Sequence, residues 1–248
     1  MAKYKISIAK YKMNNIKKIC VICARAGSKR LKSKNFKKLF GKPLIYHTIN
    51  QAIKSKIFDH IIFSTDSLIL RKLAIKYGAE SWFLRPKKLA NDKAAKMPVI
   101  RHAVLEAEKK FQINFDYIFD LDVTSPLRKV ADIKKSFRLF LKSKQDMLIS
   151  GNKARKNPYF NMVELKKKNS LKLVKQPTKY YVRQQDTPKV YELNASIYIW
   201  KRKAFFNQLG PFCKKTFFYE MPYSRSIDID NLSDFKMVQF FGSEHERI

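Results

Sequence analysis

Acid is scarce in this sequence: 20 Asp and Glu stand against 53 Lys and Arg, a formal net charge of +33. Cysteine is scarce too. Cys20, Cys23 and Cys213 are too few for a disulfide framework and fit a reducing cytoplasm. Cys20 and Cys23 form a C-x-x-C, but both fall in an apolar stretch and no nearby Cys or His pair completes a four-ligand zinc site, so core packing is the preferred reading. Long apolar runs are missing: stretches such as "IIF" and "VIC" cannot span a bilayer. The basic N-terminal "MAKYKISIAKYKMNNIKK" lacks the continuous apolar stretch of a secretory signal. No membrane partner is expected. Met13 offers an alternative start, residues 1–17 read as a poorly ordered basic extension, and 18–248 read as a single domain with a sizeable core.

A strongly basic chain invites a nucleic-acid partner, because clustered Lys and Arg release counterions from a phosphate backbone. Here Lys is scattered along the whole length, in "KKLFGK", "KSK", "RPKK" and "KKK", and no nucleic-acid-binding motif accompanies it. Solvation is the reading preferred over a nucleic-acid groove.

What is present is an alternation of short apolar runs and amphipathic stretches. Residues 18–24 read as a buried strand, and "PLIYHTINQAIKS" as a helix with Pro43 in its first turn. "HIIFSTD" follows, then a helix "SLILRKLAIKYGAE" stopped by Gly78, and a short strand "SWFL". "MPVIRHAVLEAEKKF" reads as a helix, "DYIFDLDVTSPL" as a strand running to a turn at Pro126, "ADIKKSFRLFLKS" as a helix and "DMLIS" as a strand. This rhythm predicts parallel βαβ units with right-handed crossovers, whose ligands bind beyond the carboxyl ends of the strands. From about 151 to 193 the rhythm breaks into an inserted segment, with a hairpin turning at Lys167–Ser170 and then a polar loop. The core resumes at "NASIYIW", and "SIDID" is expected as a strand leading into a last helix.

The chemistry gathers at strand ends. In "VICARAGSKRLKSKN" a loop with Gly27 and Ser28 can present backbone N–H groups to an anion, and Arg25, Lys29 and Lys34 add charge suited to a triphosphate. The Walker A spacing is absent, and on spacing alone the stretch reads either as an anion cradle or as a solvated basic loop. Asp228 and Asp230 alternate along the chain and so share one side, which suits Mg²⁺. The alternative is a pair of surface acids with Asp230 capping the following helix. His47 and His102 fall on helices as packing residues, Trp82 and Trp200 read as core, and Ser125 has neither a G-x-S-x-G turn nor a His partner.

"ICARAGSKRLKSKN", "GKPLIYHTINQAIKS", "FDHIIFSTDS", "YGAESWFLRPKKLANDKA", "LDVTSPLR", "NASIYIW" and "SIDID" follow one another in an order that resembles the CMP-sialic acid synthetases, the acylneuraminate cytidylyltransferases. The resemblance covers most of residues 18–240. It implies an α/β fold with a Rossmann-like, mostly parallel sheet of the nucleotide-diphospho-sugar transferase type and an inserted dimerisation arm. It implies further that Arg25, Gly27, Ser28, Lys29 and Lys34 hold the triphosphate of CTP, with Arg25, Lys29 and Lys34 acting in catalysis. Asn35 and Arg85 would face the cytidine, and the Ala94 backbone would recognise the base. Asp228 and Asp230 would hold Mg²⁺. Arg183, with Gln185 near it, would reach the carboxylate of a nine-carbon 2-keto sugar acid, in a cytoplasmic homodimer whose sites borrow residues from the partner chain. The implied reaction is in-line attack of the sugar's anomeric hydroxyl on the α-phosphorus of CTP, with pyrophosphate leaving.

Some positions depart from the commonest pattern of that family. Ala26 and Arg30 replace glycines, Lys96 stands where Ser is common, and Gln184 follows Arg183 where a second Arg is frequent. Asp122 replaces the Gln of "LQPTSPLR" and could bind a metal or meet a sugar hydroxyl or amide. "LDVTSPLR", "KMPVIRHA" and "NASIYIWKR" resemble most the branch acting on legionaminic acid. Kdo or pseudaminate as the sugar, and an RNA-binding protein that retains the fold, are the remaining alternatives.

Overall fold

The computed structural model describes residues 16–27, 31–91, 94–207 and 212–245. Residues 1–15 of the expected extension, and Ser28, Lys29 and Arg30 of the basic loop, lie outside them. The described strands are β1 (Lys18–Cys23), β2 (Lys38–Leu39), β3 (Lys42–Pro43), β4 (His60–Ser64), β5 (Tyr117–Leu121), β6 (Met147–Lys153), β7 (Val163–Leu165), β8 (Leu171–Leu173), β9 (Tyr191–Lys201) and β10 (Thr216–Glu220). The described α-helices are α1 (Leu44–Ser55), α2 (Leu68–Lys76), α3 (Lys96–Phe111), α4 (Val130–Ser143), α5 (Arg202–Asn207) and α6 (Leu232–His245).

Six strands form one sheet in the order β10-β6-β9-β5-β1-β4. β1 runs parallel to β4 and β5, β10 runs parallel to β6, and β9 is antiparallel to both of its neighbours. The sheet is mostly parallel, as the βα alternation predicts. Alternation within each strand supplies a core on both faces. Cys20 and Ile22 of β1 pack with Ile45 of α1, Leu70 of α2, Ile133 of α4 and Val238 of α6. Ile19 and Val21 face the other way, toward Ile100 and Val104 of α3 and Phe205 of α5. The result is three layers, helices–sheet–helices, and each fully buried Ile or Phe contributes about 1.5–3 kcal/mol relative to exposure.

Two expected strands do not form. "SWFL" contributes only a bridge just before it, Glu80 beside Ile62. The Ser81 hydroxyl donates to the Phe63 carbonyl at 2.7 Å, taking the acceptor that the next ladder bond needs. "SIDID" is extended but joins no sheet. Its Ile229 N–H donates to the Thr124 carbonyl at 2.9 Å, in the turn beyond β5 where Pro126 has no N–H to continue a ladder. The expected alternation within it holds: Ile227 and Ile229 are buried, Asp228 and Asp230 partly exposed. Pro43 precedes α1 rather than lying in its first turn.

β6 and β9 run past the expected edges of the insertion, pairing as far as Lys153 with Tyr191. A Cβ on Gly151 of β6 would run into the Glu192 carbonyl oxygen of β9, so this close approach requires glycine. Between these strands, β7 and β8 pair antiparallel in a separate two-stranded sheet that reverses over Lys167–Asn169.

Candidate active site

β1, β4 and β5 are parallel neighbours, so their carboxyl ends open on one edge of the sheet. The chain leaving β1 is tied there: the Ala26 N–H donates to Asp66 Oδ1 at 2.8 Å, and the Asn35 side-chain amide donates to the Arg25 carbonyl at 2.8 Å. Asn35 is buried by this latch, which closes the two flanks of the basic loop onto each other. Ser28 and Lys29, expected in the triphosphate cradle, lie outside the described residues. Lys34 opens a short 3₁₀ turn and reaches across the molecule. Its Nζ donates to the Ile229 carbonyl at 2.6 Å and lies 3.8 Å from Asp230 Oδ1.

Beside the loop is a cleft of about 270 Å³ lined by Cys23, Arg25, Arg85, Leu89, Asn91, Ala94, Lys96, Val99 and Asp122. Four sequence-expected site residues therefore meet: Arg25, Arg85, Ala94 and Asp122. Arg85 is buried and donates to the Ser64 carbonyl at 2.7 Å and to the Ser64 hydroxyl at 3.3 Å. Its guanidinium is thereby fixed to the end of β4 while still lining the cleft. Cys23 is a wall of this cleft rather than a purely internal residue, and burial pushes its thiol up to about 12, so it stays protonated.

Asp120 and Asp122 leave β5 on one side, the side on which α3 packs, and α3 begins with Lys96. The Lys96 ammonium lies 2.6 Å from Asp120 Oδ2 and 2.8 Å from Asp122 Oδ2, with the Tyr198 ring 4.8 Å away. Burial opposes the Lys96 charge, but the two carboxylates hold its pKa well above the ordinary lysine value. Burial also opposes a charged Asp122. Lys96 and the hydrogen bonds from the Thr124 N–H (3.2 Å) and hydroxyl (3.0 Å) outweigh it and hold that carboxyl at about 2. For the fully buried Asp120, desolvation wins over Lys96 and raises the pKa.

The "SIDID" segment lies against this cluster through the Ile229–Thr124 bond. Asp228 Oδ1 is buried and has no hydrogen-bond partner among the described residues. Burial, with the Asp122 and Asp230 charges, raises the Asp228 pKa. An unpartnered carboxylate oxygen beside a second, part-exposed carboxylate two residues on fits a hard divalent cation that takes its remaining ligands from phosphate and water. Among the described residues no group of three or more His, Cys, Asp or Glu offers a cage.

Arg183 and Gln185 do not join the cleft. Arg183 forms a forked pair with Asp186 (2.9 and 3.1 Å) on the exposed insertion, and Gln185 lines a separate hollow of about 400 Å³ with Lys153, Asn157 and Lys189. None of the residues lining the Lys96 cleft comes from this segment.

Asp120, Thr124 and Arg128 belong to the site's frame although the sequence reading assigned them no part. Arg128 is fully buried and donates to the Ser196 carbonyl at 2.5 Å, Thr48 at 3.2 Å, Gln51 at 3.1 Å and the Asp122 carbonyl at 3.4 Å. Burial lowers its pKa to about 10. The i, i+2 pair Asp120–Asp122 at a strand end was the signal available. The His47 ring N–H donates to the Leu39 carbonyl at 2.8 Å, as a packing residue, and Trp200 is core.

The family described as "Cytidylyltransferase" matches residues 19–245. The chain is 44% identical over 226 residues to "Post-translational flagellin modification protein B" of Campylobacter coli, covering 91% of this chain and 95% of that one. It is 44% identical over 225 residues to the "CMP-N,N'-diacetyllegionaminic acid synthase" of Campylobacter jejuni, covering 91% and 94%. Among solved structures, a CMP:2-keto-3-deoxy-manno-octonic acid synthetase complexed with CTP superposes with a TM-score of 0.64 at 17% identity, covering 92% of this chain and 99% of that one, which is a likeness of fold.

Proposed function

The chain belongs to the cytidylyltransferase family, and from that premise we propose that it transfers CMP from CTP to the anomeric hydroxyl of a nine-carbon 2-keto sugar acid, N,N'-diacetyllegionaminate first among them. One observation carries the reading. Lys34, from the end of the basic loop, reaches 195 residues along the chain to the acidic segment, donating to Ile229 and lying 3.8 Å from Asp230. This contact joins the basic loop to the extended segment that carries Asp228 and Asp230, beside a nucleoside-sized cleft.

Arg25, Lys34 and, in the same loop, Ser28 and Lys29 neutralise the triphosphate, while Arg85 and the Ala94 backbone line the place for the base. Asp228 and Asp230 hold Mg²⁺, which when bound withdraws charge from the phosphoryl oxygens. The protein's remaining task is positioning: the α-phosphorus must be held in line between the anomeric hydroxyl and the departing pyrophosphate, with cations already in place where charge develops. Asp122 belongs to the sugar side of the cleft. Arg183 and Gln185 serve the sugar of a partner subunit, since their own chain leaves them outside the cleft. The insertion supports a homodimer through its exposed apolar side chains, among them Leu165 (69% exposed), Leu171 (62%) and Val182 (77%). No described helix is long and apolar enough to cross a membrane, and the three cysteines, which form no disulfide, suit work in the cytoplasm, where CTP is made available.

The test is pyrophosphate release with Mg²⁺, CTP and a panel of N,N'-diacetyllegionaminate, N-acetylneuraminate, pseudaminate and Kdo, with ATP, GTP and UTP as nucleotide controls. Release confined to CTP and a nine-carbon acid is the expected result. Protein that binds no CTP and releases nothing contradicts the reading.

A further inference from the structure

The resemblance directs attention to Asp122 as a sugar contact, but the geometry distributes its capacity differently. Asp122 Oδ1 accepts from both the N–H and the hydroxyl of Thr124, and Oδ2 accepts from Lys96 at 2.8 Å. Little of this carboxylate is left for a ligand. Asp120 is fully buried. Of the three charged side chains in the cluster, Lys96 is the most exposed, 39% against 23% for Asp122 and 0% for Asp120. It lines the cleft with Arg25, Arg85 and Asn91. An ammonium carries three N–H donors, and two carboxylates at 2.6 and 2.8 Å hold it from below while the Tyr198 face limits its swing.

We propose that Lys96 is the specificity-determining group on the sugar side of the cleft, donating to a neutral oxygen of the incoming sugar acid, a hydroxyl or an acylamino carbonyl, and that Asp122 is its positioning residue. This deepens the proposed function and rests on it. The neutrality of the acceptor follows from charge. Two carboxylates within 3 Å overcompensate one ammonium, so a phosphate or the sugar's own carboxylate gains little here; the phosphates are served instead by Arg25 and Lys34, and the carboxylate by Arg183. Lys96 opens α3 directly above the end of β5, and the Ile229–Thr124 bond brings the Asp228 segment to the same corner. A donor at that corner meets a substrate beside the reacting phosphorus.

The chain's two unusual residues become one unit on this view. A lysine alone would favour anions, an aspartate alone would repel an acidic substrate, and together they leave a fixed donor that no longer draws an anion.

The experiment measures kcat/KM for two sugar acids that differ in their acylamino and hydroxyl substituents, N,N'-diacetyllegionaminate and N-acetylneuraminate, together with the Kd for CTP by calorimetry. Lys96→Met is expected to lower kcat/KM for the preferred acid at least tenfold and to shrink the preference ratio, with the CTP Kd within threefold of wild type. Asp122→Asn keeps the neutral Lys96–Asp120 pair and is expected to shift the ratio in the same direction by less. If Lys96→Met does not fold, the Lys96→Met/Asp122→Asn double variant, which removes one charge of each sign, is expected to give the same altered ratio. An unchanged ratio in the folded Lys96 variants overturns the proposal. So does weakened CTP binding with the ratio intact, which makes Lys96 a nucleotide contact. A ratio moved by Asp122→Asn but not by Lys96→Met makes the carboxylate the direct contact and also overturns it. Wild-type protein inactive with both acids, and with the rest of the panel, removes the proposed function and this inference with it.

Discussion

Lys34 shows how much one side chain can be asked to do. In sequence it is one more lysine in a chain with 53 Lys and Arg, and in the fold it is the one described cation that links the β1 loop to the Ile229–Asp230 backbone. Lys34→Ala is expected to lower kcat by about 10²- to 10³-fold, the usual cost of losing one preorganised group at a site of developing charge; stopped assays at saturating CTP check it, and near-normal kcat would remove Lys34 from the chemistry. Asp122 makes a prediction about pH. Its folded pKa is about 2, below the 3.8 of an unperturbed Asp, so its stabilisation is complete above the unfolded value and is lost as pH falls from about 4 through 2. Asp122→Asn is expected to cost about 2 kcal/mol at pH 7. The gap between wild type and variant in urea midpoints should close as the pH approaches 2, and a gap independent of pH would mean that the carboxylate's charge is not what stabilises. At this scale the sequence disclosed Arg25, Arg85, Ala94 and Asp122, which the cleft brings together. It did not disclose that Asn35 spends its amide on the Arg25 carbonyl, or that Asp122 spends its oxygens on Lys96 and Thr124. Lys96 and Asp122, 26 residues apart on different elements, leave no mark in local spacing.

Among the elements, those that carry strong periodicity could be read directly. β1, β4 and β5 bury runs of consecutive residues, the helices between them bury residues three or four apart, and both runs are long enough to identify. What could not be read depends on tertiary competition. "SWFL" has strand composition, yet the Ser81 hydroxyl takes the carbonyl that would have extended the ladder. "SIDID" alternates like a strand, yet its neighbour is a proline turn. β10, "TFFYE", went unread because it is a short edge strand that pairs with β6, some 70 residues away in sequence, without a local hairpin to announce it. The β7–β8 hairpin was visible, turn included. It presents Leu165 and Leu171 to solvent in a single chain. Replacing both, Leu165→Asp with Leu171→Asp, is expected to convert a dimer to a monomer in light scattering and to leave the six-stranded core folded by circular dichroism. A dimer that survives would place the subunit contact elsewhere.

For the molecule as a whole, the charge of +33 is the most conspicuous sequence property and the least informative about the site. Lysines spread along the whole chain keep it solvated. The local arrangement, in which Lys34 reaches from the basic loop to the Ile229 carbonyl and the Asp230 carboxylate, separates a nucleotide-processing site from a generic polyanion surface. An RNA-binding module has no need of a buried Asp228 oxygen without a hydrogen-bond partner among the described residues. The proposed reaction breaks the bond between the α-phosphorus and the bridging oxygen to the β-phosphorus. The most direct measurement is ³¹P NMR of the protein with CTP, Mg²⁺ and N,N'-diacetyllegionaminate. Cleavage between the α- and β-phosphorus is predicted, seen as a phosphodiester resonance of the CMP-sugar rising in step with pyrophosphate. Appearance of CDP with inorganic phosphate, or CTP left intact by protein that binds it while every nine-carbon acid is offered in turn, would contradict it.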